Sequence, residues 1–196
     1  MSTELKDKII HESLRLFSLK GFLGTSTHDI LTAANTSKGG MYNHFKAKED
    51  LIPSVLEEAR RHWRTHNLAG LDKIDSPLGK VKRLLENYGF RYLKDKKNLP
   101  GGCVFITLSV ELDDQRPDLC REVLKGWAGF KSMINRLLDE AIEIGEIAEG
   151  VDTQEVTQMI LAGMLGTSLL YGVEKSGASV NHSINSLIKY LDSLAP

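Results

Sequence analysis

The residues best equipped for chemistry lie together between positions 37 and 48. Ser37, Lys38, Tyr42, Asn43 and His44 fall within one short run, and Lys46 and Lys48 follow it. They offer hydroxyl, ammonium, amide and imidazole groups. They do not offer a nucleophile motif, an HExxH zinc motif or a glycine-rich phosphate loop ahead of a helix. Groups of this kind bind rather than react. An asparagine amide can pair with an adenine edge, a lysine ammonium with a guanine edge, and hydroxyls and lysines with phosphate oxygens. Met41 and Phe45 interleave as apolar anchors, although Met41 could also touch a thymine methyl. The plain alternative is that the polar residues only coat a solvated helix.

To present these groups, the chain needs two short helices and a tight connection. Ser26 or Thr27 can cap the first, with Asp29 in its first turn against the positive end of the dipole. Ile30, Leu31, Ala33 and Ala34 supply its apolar face. Asn35-Thr36-Ser37 breaks the pattern. Asn35 tolerates the left-handed conformation of a helix exit, and Ser37 can cap a second helix from Lys38 to about Phe45. Helix, short turn, short polar helix is the helix-turn-helix arrangement, whose second helix enters the major groove. A helix from about Thr3 to Lys20, with Ile10, Leu14 and Phe17 on one face, precedes it and ends at Gly21.

The run from Ile9 to Leu56 resembles the DNA-binding domain of TetR/AcrR-type transcriptional repressors. The landmarks are Phe17, Lys20-Gly21-Phe22, Thr25, Ile30, Ala33-Ala34, Ser37-Lys38-Gly39, Tyr42, His44-Phe45 and Lys48-Glu49-Asp50-Leu51. Three positions depart from the family pattern. Asn35 stands for a usual Gly, Ala47 for a common capping Ser, and Gly40 for a frequent Thr. The resemblance implies phosphate contacts from Thr25, Tyr42, Lys46 and Lys48. It places Ser37, Lys38, Gly39, Gly40, Asn43 and His28 toward the groove, with Ser26, Thr27, Met41 and His44 in the same DNA-facing set, His44 reading either as a backbone-phosphate contact or as a hydrogen bond inside the head. Phe17 and Phe45 read as core.

The whole chain has 196 residues and a net charge of −1. Residues 1–66 hold ten Lys/Arg and eight Asp/Glu, giving +2, and the remainder comes to −3. That asymmetry is compatible with a nucleic-acid partner and too small to prove one. Cys103 and Cys120 have no metal-ligand spacing. The charged N-terminus shows no signal peptide, so a cytoplasmic protein is expected. Val156 to Val173 lacks charge and nears the length of a membrane span. Its Gly, Ser, Thr and Gln content argues instead for a helix buried on most of its circumference, and no membrane partner is expected.

Beyond Gly70 only helical periods appear. A long fourth helix starts near Lys48 and ends by Gly70. Another starts at Ser76-Pro77. Cys103 to Leu112 is apolar enough for a strand but has no partner strand, so a helix is expected. Arg116-Pro117-Asp118 opens the next, closed by Gly145 or Gly150. The last two run from about Thr153 to Ser176 and from about Val180 to Leu194. The expected fold is all-α: a three-helix head over residues 1–47, and a larger helical effector-binding and dimerisation body over 48–196.

Tyr88, Tyr92, Cys103, Phe105, Trp127, Phe130, Met133 and Tyr171 are the candidate effector-binding residues, although any aromatic on a helical stripe can be plain core. His62 and His66, at i and i+4, could bind a metal from one face, but no further ligand cluster is evident and neither metal nor cofactor is expected. Cys103, at a helix start, could be a reactive thiol or a small buried hydrophobe. By resemblance, the last two helices pair with those of a second copy, through Ala162, Gly163, Gly166, Thr167, Ile184, Leu187, Ile188 and Leu191. The resemblance implies a non-enzymatic, ligand-responsive regulator, in the main a repressor, acting as a homodimer on palindromic operator DNA. One rival is a regulator sensing oxidants or electrophiles through Cys103. The other is a helical enzyme or carrier with an accessory helix-turn-helix module.

Overall fold

The computed structural model describes residues 2–112 and 115–196, and every regular element among them is helical. The α-helices are α1 (Ser2–Lys20), α2 (Thr27–Ala34), α3 (Lys38–Tyr42), α4 (Leu51–Asn67), α5 (Pro77–Asn87), α6 (Val104–Leu112), α7 (Pro117–Glu143), α8 (Thr153–Glu174) and α9 (Gly177–Asp192). A 3₁₀ turn, Leu71–Lys73, precedes α5, and a π-helical turn, Tyr88–Tyr92, follows it. The segment from Cys103 to Leu112 is therefore a helix, not a strand.

Local chemistry explains most boundaries. Gly21 ends α1 at φ +75, with its N–H donating to the Phe17 carbonyl at 3.0 Å. Ser76 caps α5 by accepting from the Gly79 N–H at 2.8 Å, with Pro77 in the first turn. Asp152 caps α8 through the N–H groups of Gln154 and Glu155. α9 starts at Gly177, ahead of the expected Val180, because Ser176 caps it by accepting from Ser179 N. Ala47 lacks a capping hydroxyl, but its N–H still donates to the Asp50 carboxylate at 3.0 Å, the surviving half of a capping box ahead of α4.

Two compact units emerge, one of residues 1–62 and 95–125, the other of 63–94 and 126–196. α4 and α7 each contribute to both. In the first unit α1 packs on α2, α3 and α6. Its core holds Ile9, Leu14, Phe17, Phe22, Ile30, Met41, Phe45, Leu51 and Val55, with Phe17 and Phe22 edge to face at 5.5 Å. The units do not follow the expected 47/48 division, since residues 95–112 pack on the head. Arg15 donates to the Lys97 carbonyl at 2.9 Å, and the Gly101 N–H donates to Ser18 Oγ at 3.2 Å. Gly101 is required there, because a Cβ would lie 1.8 Å from the Ser18 carbonyl oxygen.

In the second unit α9 packs on α8 and α5. Asn87, buried, donates from Nδ2 to the carbonyls of Asn67 and Ala69, which closes the C-terminal end of α4. The π turn carries Leu93 N–H to the Tyr88 carbonyl at 3.0 Å and stacks Tyr88 on Tyr92 at 5.7 Å. Among the described residues, α8 is the one helix long and apolar enough to cross a membrane by length and composition. It is not buried around most of its circumference. One face, with Ile160, Leu161, Met164 and Thr167, packs inside the chain, while Met159, Leu169, Leu170 and Val173 are exposed, Val173 at 84%.

Two glycines test this packing. A Cβ at Gly89 would lie 2.5 Å from Ile184 Cγ1, whereas one at Gly129, in α7, meets nothing within 4 Å. Gly89→Ala is expected to destabilise by about 1–3 kcal/mol through overpacking. Gly129→Ala should stabilise by about 0.5–1 kcal/mol through helix propensity. Urea denaturation midpoints at unchanged m-value measure both.

Candidate nucleic-acid interface

The recognition segment is built by caps. Ser26 is the N-cap of α2. Its Oγ accepts from the Asp29 N–H at 3.1 Å, while the Asp29 carboxylate accepts from the Ser26 N–H at 2.9 Å. The Ser26 backbone N–H, then its hydroxyl, hold the Asp29 carboxyl below its ordinary range. A depressed carboxyl keeps its cap at neutral pH and loses it only as pH falls through the lowered value. Asn35 takes the left-handed conformation, φ 50 and ψ 55, and its N–H reaches the Leu31 and Thr32 carbonyls. Ser37 caps α3 by accepting from the Gly40 N–H at 3.2 Å.

α3 ends at Tyr42, short of the expected Phe45, and the helix with its flanking residues sorts side chains by polarity. Met41 is fully buried, and Phe45 nearly so. Ser37, Lys38, Gly39, Tyr42, Asn43 and Lys46 are exposed, as are Ser26 and His28 on the preceding helix start; Thr27, Gly40 and His44 are half-exposed. The Lys38 ammonium lies 5.9 Å over the Tyr42 ring. A thymine contact from Met41 is ruled out by its burial. A Cβ at Gly40 would lie 2.4 Å from Thr36 Oγ1, so a side chain there requires the Thr36 side chain to shift.

Two expected phosphate ligands have partners within the fold. Thr25 is fully buried, and its hydroxyl donates to the Gly21 carbonyl at 2.6 Å. The Lys48 ammonium donates to the Phe22 and Thr25 carbonyls, both at 2.8 Å, and sits 4.2 Å over the Phe22 ring. Glu111 of α6 completes this corner. Its carboxylate accepts from Phe22 N at 2.6 Å and Leu23 N at 2.9 Å, and it fills the space beside Gly21 where a Cβ would lie 2.4 Å from Oε1. Sequence reasoning missed Glu111, and no local signal marks it.

The candidate effector residues divide between the two units. Cys103 and Phe105 are buried in the first unit; Tyr88, Tyr92, Trp127, Phe130, Met133 and Tyr171 belong to the second. There Phe130 meets Trp127 at 6.5 Å and Trp63 at 5.8 Å, both edge to face. Tyr92 meets His66 at 6.1 Å, and Tyr88 donates its hydroxyl to the Met164 carbonyl at 3.3 Å. Trp63 is an aromatic partner that the helical pattern did not single out. Met133 and Tyr171 are half-buried.

The expected dimer set also divides. Ile184, Leu187, Leu191 and Thr167 are buried within their own chain, and Gly163 lies against Leu187, where a Cβ would come within 2.6 Å. These five are therefore intramolecular packing residues. Ala162 is exposed, Gly166 has open space at its Cβ position, and Ile188 is half-buried. Met159, Ala162, Gly166, Leu169 and Val173 make a continuous stripe on α8 at helical spacing.

Two family models match the chain. One, described as bacterial regulatory proteins, tetR family, covers residues 9–55; the other, described as tetracyclin repressor-like, C-terminal domain, covers 77–187. An uncharacterised HTH-type transcriptional regulator in the lacX 3' region of Lactococcus lactis subsp. lactis is 32% identical over 117 residues, 58% of this chain and 60% of that one. This match thus spans less than two thirds of that relative's length. The HTH-type transcriptional repressor DhaR of Mycobacterium sp. (strain GP1) is 25% identical over 175 residues, 89% of this chain and 85% of that one. The crystal structure of a TetR transcriptional regulator from Chloroflexus aurantiacus J-10-FL superposes with a TM-score of 0.89 at 26% identity, covering 97% and 95% of the two chains.

Lys46 and Lys48 separate a surface cation from a structural one. Lys46→Ala should flatten the salt dependence of DNA binding by roughly one unit of slope. Lys48→Ala should instead destabilise the protein by about 1–3 kcal/mol, because two carbonyls lose a charged donor, with the slope unchanged. Denaturant titration and salt-dependent DNA binding of both variants check this.

Proposed function

This chain belongs to the TetR family of bacterial regulatory proteins and is a helix-turn-helix transcriptional regulator; we propose that it is a homodimeric repressor that leaves a palindromic operator when a small molecule binds its helical body. The observation that carries the DNA-reading assignment is the outer face of α3. Ser37, Lys38, Gly39, Tyr42 and Asn43 are exposed while Met41 and Phe45 turn inward. In this reading Asn43 and Lys38 face base edges, and Tyr42 and Lys46 hold phosphates. Residues 1–47 carry DNA reading; 48–196 carry effector binding and dimer formation. A cytoplasmic location goes with this work.

The aromatic residues of the second unit are the proposed effector contacts, led by Trp127 and Phe130, with Trp63 added. The exposed α8 stripe is the proposed contact with a second copy. Ala162 and Gly166 let two helices approach closely, and Met159, Leu169 and Val173 supply apolar area around them. Such a dimer would offer two α3 helices to successive major grooves about 34 Å apart. Effector binding then acts by favouring a state that fits DNA less well. Sensing through Cys103 has less support, since that side chain is only 2% exposed. An enzyme or carrier role gains no support from the matches to regulators at both ends of the chain.

Selection of operators from random duplex DNA, followed by release with a panel of small molecules, tests the reading. Asn43→Ala should relax preference at one position by about 1–3 kcal/mol, and Tyr42→Ala should weaken all sequences alike. Trp127→Ala should alter release and spare effector-free binding. Gly166→Glu should give a monomer or an aggregate by sedimentation and lose operator binding. A parent protein that sediments as a monomer at micromolar concentration and binds DNA one chain at a time would remove the dimer.

A further inference from the structure

His11 of α1 faces Glu58 and His62, one turn apart on α4. One ligand atom from each, two ring nitrogens and a carboxylate oxygen, lie within 4.8 Å of one another. All three residues are half-buried, and the Glu58 and His62 side chains are 15% and 18% exposed. His62 Nε2 is already 3.0 Å from Glu58 Oε1. A tetrahedral ion with bonds of about 2.0–2.1 Å holds its donors roughly 3.3 Å apart, so the His62–Glu58 edge is close to the required span, and a His11 nitrogen lies within 4.8 Å of both.

The surroundings suit an ion with open positions. A cavity of about 630 Å³ is lined by His11 and Glu58, together with Asp7, Lys8 and Ser54. Asp7 precedes His11 by one turn on α1, as Glu58 precedes His62 on α4. Arg61 hydrogen-bonds Glu58 Oε2, which leaves Oε1 turned to His62 and fixes the carboxylate as an outer partner does. Lys8 and Arg61 oppose a cation by charge, but Arg61 is 69% exposed and screened by solvent.

We propose that His11, Glu58 and His62 form a binding site for a divalent transition ion of the zinc class, which ties α1 to α4 inside the first unit. Two imidazoles and one carboxylate are the donor types that such ions take, with a water or Asp7 completing the shell. The competing account is a His62–Glu58 pair with His11 beside it, which binds no metal.

The test is titration of the full-length, tag-free protein with Co²⁺ and then Zn²⁺, read by visible absorption, calorimetry and thermal unfolding. We expect one ion per chain, a cobalt spectrum without a sulfur charge-transfer band, and an unfolding midpoint that rises by a few degrees with zinc. His11→Gln should weaken cobalt binding by more than about a hundredfold, since loss of an outer partner alone costs tenfold to a hundredfold. His62→Gln should do the same, and His11→Gln decides if that variant fails to fold. No saturable binding, a sulfur band that assigns the ion to Cys103 or Cys120, or unchanged binding in folded His11→Gln would overturn the site.

Discussion

One corner of five residues governs the first unit. Between α1 and α2 the chain turns from Gly21 to Thr25, and its own backbone bonds, Gly21 N–H to Phe17 and Thr25 N–H to Phe22, leave further groups for other residues to satisfy. Glu111 takes the N–H groups of Phe22 and Leu23, and Lys48 supplies the carbonyls of Phe22 and Thr25. The Thr25 hydroxyl closes back on Gly21. An anion and a cation thus clamp the N–H and the C=O of the Phe22–Leu23 peptide group, and each also holds one further group of the turn. α2 and α3 follow directly, and their placement against α1 depends on that clamp. The presence of α6 within this unit has a physical cause in Glu111.

What was legible in the sequence was local. Ser26 with Asp29, Asn35, Ser37 and Ser76 with Pro77 each act on neighbours within four residues, and each behaves as its type dictates. Periodicity was enough to identify Met41 and Phe45 as apolar anchors. The intramolecular partners of Thr25 and Lys48 were not foreseen, because motif position says where a polar group stands, not where it points. Their partners, backbone carbonyls in a turn, leave no trace in composition. Glu111 and the approach of His11 to His62 depend on tertiary pairing, which no single-sequence pattern encodes.

The body shows a second kind of limit. A helix that is apolar on two faces does not say which face its own chain will cover. Gly163 and Gly166 look equivalent in sequence, yet one receives Leu187 and the other faces open space. The same uncertainty held for α9, where Ile184, Leu187 and Leu191 complete the chain's own core. The π turn at Tyr88–Tyr92 was equally invisible, since its wide register arises where α9 crowds Gly89.

Gly39 and Gly40 differ in the evolutionary freedom they leave to α3. At Gly39 a Cβ would have only Ser37 Oγ as a neighbour, at 3.9 Å, so nearly any side chain can be added without disturbing the head. At Gly40 the Thr36 hydroxyl occupies the space, and a new side chain needs the Thr36 side chain to turn aside. A lineage can therefore alter what α3 reads through position 39 in single steps, each also favoured by helix propensity. Position 40 opens only where the Thr36 side chain gives way, and drift in operator preference would be channelled accordingly.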